Sequence, residues 1–91
     1  MYIRVTRGRF NPANYEQIQR MVEEQLLPGI KQRPGFRSYQ GGIDREANTL
    51  VAVSFWDTRE QAEGLASGRG PFEALGVVFD TAETYELIAS I

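Results

Sequence analysis

The stretch "VAVSFWDTREQ", Val51 to Gln61, changes its periodicity at Trp56, the single tryptophan of the chain. Before it, "TLVAVSFW" alternates. Val51, Val53 and Phe55 fall on one side, and Ala52, Ser54 and Trp56 on the other, the pattern of a strand. After it, Asp57 with Glu60, or Thr58 with Gln61, has the spacing of a capping box that starts a helix. A strand running straight into a helix at a large aromatic residue is the hinge on which the reading of the fold turns.

Working outward, "YIRVTRGRF" also alternates, with Ile3 and Val5 on one face and Tyr2, Arg4 and Thr6 on the other. Asn11 then suits an N-cap and Pro12 the first helical position. Tyr15, Ile18, Met21, Val22 and Leu26 form one helical stripe, with Glu16, Gln19, Arg20, Glu23 and Glu24 covering the rest. Pro28 is expected to end or kink this helix, because it lacks a donor for the ladder. "FRSYQGG" reads as a second strand, and "IDREAN" as the loop into the third. A short helix follows Trp56, is interrupted by "SGRGP", and continues as an apolar stripe of Phe72, Leu75, Val78 and Phe79. "TAETYELIASI" is the last strand.

The order β-α-β-β-α-β predicts an α+β fold, the ferredoxin-like plan with a four-stranded antiparallel sheet, as one domain over residues 1–91. Strands one and three are expected at the centre, as a parallel pair. Ile3, Val5, Val51, Val53 and Phe55 are expected to face the helices. Arg4, Thr6, Ser54 and Trp56 would then lie on the helix-free face. An uncovered face carrying a tryptophan calls for a cover, and a second copy of the chain is the simplest one.

Composition narrows the chemistry. The 91 residues are 42% hydrophobic and 24% charged, with net charge −2, which argues against a broad nucleic-acid footprint. Nine of the ten basic residues are arginine, and Arg4, Arg7 and Arg9 cluster near the N-terminus. There is no cysteine and no histidine. Thiolate sites, the commonest general base, and the usual haem ligand are therefore missing. No apolar run spans a bilayer and no signal peptide is recognisable, so a cytoplasmic protein without membrane partners is expected. Glu23 and Glu24 are neighbours pointing apart, Asp44 and Glu46 sit in a loop, and Asp57 is read as a cap. No serine has a histidine to activate it.

With these residues in place, "RPGFRSYQGG" and "LVAVSFWDTREQAEGLASGRGPFEAL" resemble the antibiotic biosynthesis monooxygenase-like family. The shared features are a Pro-Gly step into strand two, a tryptophan ending strand three, and a following helix rich in Glu and Ala. The resemblance implies a dimeric α+β barrel. Some relatives oxidise phenolic or quinol substrates with molecular oxygen and neither metal nor flavin; others degrade haem. Many members carry a histidine near where "EGLASGRGPF" lies here. Its absence excludes haem degradation through a histidine ligand, and no cofactor is expected.

The resemblance also points the tryptophan into the barrel. Trp56 is thus expected to line a pocket for a small aromatic ligand, with dimer-core packing as the competing reading. Trp56, Tyr39 and Arg4 are the candidate catalytic residues. Thr6, Ser54, Tyr85, Arg37 and Phe72 are candidate substrate contacts. Arg4 is suited to stabilising an oxyanion, or else to a structural pair with Glu86. Arg37 would serve if strand two faces the other way, and Tyr39 or Tyr85 would hydrogen-bond a phenolate. An enzyme that oxygenates a small phenol- or quinol-like aromatic is one expectation. A non-catalytic dimer that binds a small molecule, or is merely structural, is the other.

Overall fold

A computed structural model describes residues 1–91. Strands β1 (Tyr2–Arg9), β2 (Phe36–Asp44), β3 (Thr49–Trp56) and β4 (Val78–Glu86) form one sheet in the order β2-β3-β1-β4. Every neighbouring pair is antiparallel. This is the ferredoxin-like plan. β1 and β3 are central as expected, but they run antiparallel, Tyr2 lying opposite Trp56 and Arg9 opposite Thr49. The helical crossover returns β2 parallel to β1. The hairpin then sends β3 back between them, so it opposes both.

The first helical segment begins at Asn11, whose Oδ1 accepts from the Ala13 N–H at 3.0 Å. A 3-10 turn (Pro12–Asn14) leads into α1 (Tyr15–Met21). Pro28 does not end the segment. The backbone widens to a π-helical stretch over Val22–Leu26, closed by the Leu27 N–H on the Val22 carbonyl, and α2 (Leu27–Ile30) follows with Pro28 in its first turn. The wider turn removes the demand for a donor at Pro28 and relieves its ring against the preceding carbonyls.

At the strand-helix junction, the Thr58–Gln61 box forms. The Thr58 Oγ1 accepts from the Gln61 N–H at 3.2 Å, and the Gln61 Oε1 accepts from the Thr58 N–H at 3.1 Å, opening α3 (Arg59–Glu63). Asp57 is not the cap. It receives the Arg37 Nε at 2.7 Å in an exposed ion pair. A 3-10 stretch (Gly64–Gly68) and α4 (Gly70–Glu73) complete the second helical segment. The expected helical stripe through Val78 and Phe79 is replaced by strand. Gly76 turns the chain at φ +84°, the Val77 N–H closes on the Phe72 carbonyl at 3.1 Å, and β4 starts at Val78.

The facing of the sheet is the reverse of the expectation. Arg4, Thr6, Ser54 and Trp56 are buried on the helix side, while Ile3, Val5, Val51, Val53 and Phe55 are half-buried on the face without helices. Alternation defines two faces but does not say which one the helices cover. Here both faces of the central strands carry large side chains. The helices dock where Ile30 and Ala62 close on Trp56. No helix is long and apolar enough to cross a membrane.

Candidate functional site

Between the helices and the sheet lies a cavity of about 510 Å³, within the range of small-molecule sites. Its origin is readable in the cross-strand register. Gly41, Ala52, Thr6 and Ala82 stand side by side across the four strands. Four small residues in one row on the helix side leave a hollow that the helices do not fill. On one side of that row stand Tyr39, Ser54, Arg4 and Thr84; on the other stand Ile43, Leu50, Gly8 and Phe79. Tyr15, Ile18, Val22 and Leu26 from the first helical segment form the facing wall, and Leu65, Arg69 and Phe72 from the second close it. The π-helical stretch thus contributes two of its residues to the cavity.

Of the candidates from the sequence, Arg4, Thr6, Tyr39 and Phe72 line the cavity together. Trp56 does not. It is fully buried in a cluster with Ile30 and Ala62, against Tyr2, Phe36, Tyr39 and Leu65. Its ring meets Phe36 edge-on at 5.6 Å, and its Nε1–H donates to the Ser54 Oγ at 2.8 Å. Ser54 is likewise committed to the core, at 1% exposure. The indole therefore stands behind Tyr39, as packing between sheet and helices. Arg37 is held outside by Asp57. Tyr85 lies half-exposed on the helix-free face, its hydroxyl donating to the Glu83 carboxylate.

Arg4 is buried and incompletely partnered. The residue is 8% exposed. Its Nη1 donates to the Thr84 Oγ1 at 3.0 Å, and its Nε is buried with no hydrogen-bond partner. Glu86, the pairing partner weighed from the sequence, lies opposite Tyr2 instead. Burial pushes the Arg4 guanidinium below its ordinary pKa, the Arg69 cation pushes the same way, and Glu63 acts in the opposite sense. Tyr39 is pushed above the ordinary phenol range by burial. At neutral pH it is a hydrogen-bond donor and not a base. The sequence reading missed Arg69, which lies in "SGRGP" and stacks 4.9 Å over the Phe79 ring. It also missed the floor of the cavity, which the small residues at matching strand positions signal once the register is known.

No cluster of His, Cys, Asp or Glu suited to a metal ion exists in the molecule. The cavity lining offers no imidazole and no thiolate, and its phenols are Tyr15 and Tyr39. Axial ligation of a metalloporphyrin by histidine or cysteine therefore has no residue here.

No protein-family model and no curated protein sequence matches the chain. Solved structures do. A candidate antibiotic biosynthesis monooxygenase from Deinococcus radiodurans superimposes with a TM-score of 0.78 at 14% identity, covering 100% of this chain and 96% of that one. SnoaB, a cofactor-independent oxygenase from Streptomyces nogalater, gives 0.73 at 16% identity, covering 99% and 95%. A mutant of MhuD with two manganese protoporphyrin IX molecules bound per active site gives 0.73 at 11%, covering 100% and 98%. The chain has the fold of the antibiotic biosynthesis monooxygenases, with an apolar, arginine-bearing cavity between its sheet and its helices. The resemblance read from the sequence holds at the level of fold.

Proposed function

We propose that the chain is a homodimeric oxygenase that acts, without a cofactor, on a small phenol- or quinol-like aromatic held in the cavity under its helices. The observation that carries this reading is the cavity itself, apolar on most of its wall, with Arg4 and the Tyr39 phenol in its lining. The chemistry balances without a redox group. A phenol and dioxygen give a quinone and water: one oxygen atom enters the ring, and the other leaves with the two hydrogens that the substrate loses. The electrons come from the ionised substrate. Arg4 favours the ionised phenol and stabilises its oxyanion, and Tyr39 donates a hydrogen bond to it. Thr6 and Phe72 position the ring. The fold shared with SnoaB, an oxygenase that is itself cofactor-independent, supports the assignment.

A second reading is favoured by one observation: the cavity lining contains no carboxylate and no imidazole to take the phenolic proton. In that reading the protein binds a small molecule without turning it over. Oxygen uptake with a panel of quinols and naphthols separates the two. An oxygenase consumes dioxygen in step with quinone formation, above the rate without protein, and Ala52→Leu, which fills the cavity floor, abolishes it. Saturable binding with no oxygen uptake would establish the binding module.

The homodimer forms through the helix-free face in this proposal. Ile3, Val5, Val51, Val53 and Phe55 lie there half-buried. The same face carries charges of both signs, Arg7 and Glu83. A twofold axis can therefore set each against its opposite on an identical surface.

A further inference from the structure

We propose that the physiological ligand of the cavity carries a permanent negative charge: it is a planar, mostly apolar organic carboxylate, its acid group held at Arg4 and Arg69. The proposal rests on the reading of this cavity as the ligand site and goes beyond it by naming the charge of the ligand.

The cavity lining contains two formal charges, Arg4 and Arg69, and both are positive. None of the molecule's three ion pairs includes either of them. Arg69 interacts with the Phe79 ring, a contact that leaves its charge uncompensated. Arg4 is more than nine-tenths buried, and its only partner on the sheet is the neutral hydroxyl of Thr84. Its Nε finds none. The acidic group that acts on Arg4 is Glu63, which already forms a helical pair with Arg59 at 3.6 Å.

Proteins rarely bury a cation without a counterion, because desolvation is costly unless an anion offsets it. Two arginines repelling each other across an apolar cavity make the cost larger. A phenol, even ionised at Arg4, leaves Arg69 uncompensated. A carboxylate accepts hydrogen bonds only, carries its charge at any pH above its own low pKa, and suits guanidinium recognition. Most of the remaining cavity wall is aliphatic or aromatic, which sets the body of the ligand as apolar, and the aromatic reading of the cavity sets it as flat.

The test uses three probes of one shape on the intact protein: 2-naphthoate, the neutral 2-naphthamide and 2-naphthol, titrated calorimetrically at neutral pH. The expected result is that naphthoate binds at least about tenfold more tightly than naphthamide, the scale of one charge-assisted hydrogen bond. The preference falls as salt rises. It is lost in Arg4→Gln and reduced in Arg69→Gln. Should Arg4→Gln fail to fold, the naphthoate-to-naphthamide ratio on the unaltered protein and its change in Arg69→Gln decide the matter. Equal binding of naphthoate and naphthamide overturns the anionic ligand while leaving the aromatic cavity intact. Preference for naphthol over naphthoate overturns it as well. If none of the three binds, the cavity reading falls together with this one.

Discussion

Replacing Trp56 by phenylalanine tests whether the indole is core or pocket wall, because the two roles differ in what is lost. In the structure the side chain is fully buried among Ile30, Ala62, Tyr2, Phe36, Tyr39 and Leu65. Its Nε1–H is satisfied by the Ser54 Oγ at 2.8 Å. Phenylalanine keeps the edge-on contact with Phe36 but leaves a void where the larger ring ended, about 1–2 kcal/mol on the scale of large-to-small core changes. It also removes a buried hydrogen bond, about 1 kcal/mol. The sum is a destabilisation of about 2–3 kcal/mol, which in a domain of this size lowers Tm by roughly 10–20 °C. Ser54→Ala alone strands the indole N–H and costs about 1–3 kcal/mol. The double variant should then be less destabilised than the two single changes added together, by about 1 kcal/mol. Urea unfolding followed by far-UV circular dichroism at one fixed protein concentration gives all four corners of the cycle. Additive effects, or a Trp56→Phe loss below about 0.5 kcal/mol accompanied by weakened ligand binding, would refute the packing argument and restore the indole as a wall of the site.

Val53→Glu, on the helix-free face, is expected to turn the dimer into a monomer in light scattering, whereas a dimer that survives it would remove that face from the interface. Gly35→Ala is expected to cost at least about 1–2 kcal/mol in thermal or urea unfolding: Gly35 sits at φ +78°, and a Cβ there collides with the Gln61 side chain of the capping box. A near-neutral result would mean that the Pro34–Gly35 step is not what joins strand two to the helix start. Arg9, mainly by its hydrogen bond, holds the exposed Asp80 carboxyl below the usual carboxylate range. Because the folded-state pKa is lowered, the pair's contribution is present above the ordinary range and lost as pH falls through the lowered value. Asp80→Asn should therefore flatten the acid limb of the Tm-versus-pH curve, with a small effect that salt weakens further; an unchanged acid limb at low salt would contradict the pairing.

The local pattern of the chain determined most of the fold. The period-2 run ending at Trp56, the Thr58–Gln61 box, the Asn11–Pro12 helix start and the Pro34–Gly35 step each depend on neighbours in sequence, and each appears in the structure. So does the order of strands, because short connections and a right-handed crossover leave few alternatives. The exclusion of imidazole and thiol chemistry is composition alone. What tertiary structure decided is which face of the sheet the helices cover, and the candidate site follows from that choice. Strand parity correctly grouped Arg4, Thr6, Ser54 and Trp56, but parity is symmetric between the two faces. Only the docking of Ile30 and Ala62 onto Trp56 turned that group inward. Within the group, Trp56 and Ser54 satisfy each other and close off, while Arg4 and Thr6 open onto the hollow. That hollow exists because Gly41, Ala52, Thr6 and Ala82, far apart in the chain, meet in one row. The meeting of Arg4 with Arg69 at that cavity is likewise a product of packing, since the sequence separates a residue of the first strand from a loop-like "GRG" in the second helical segment.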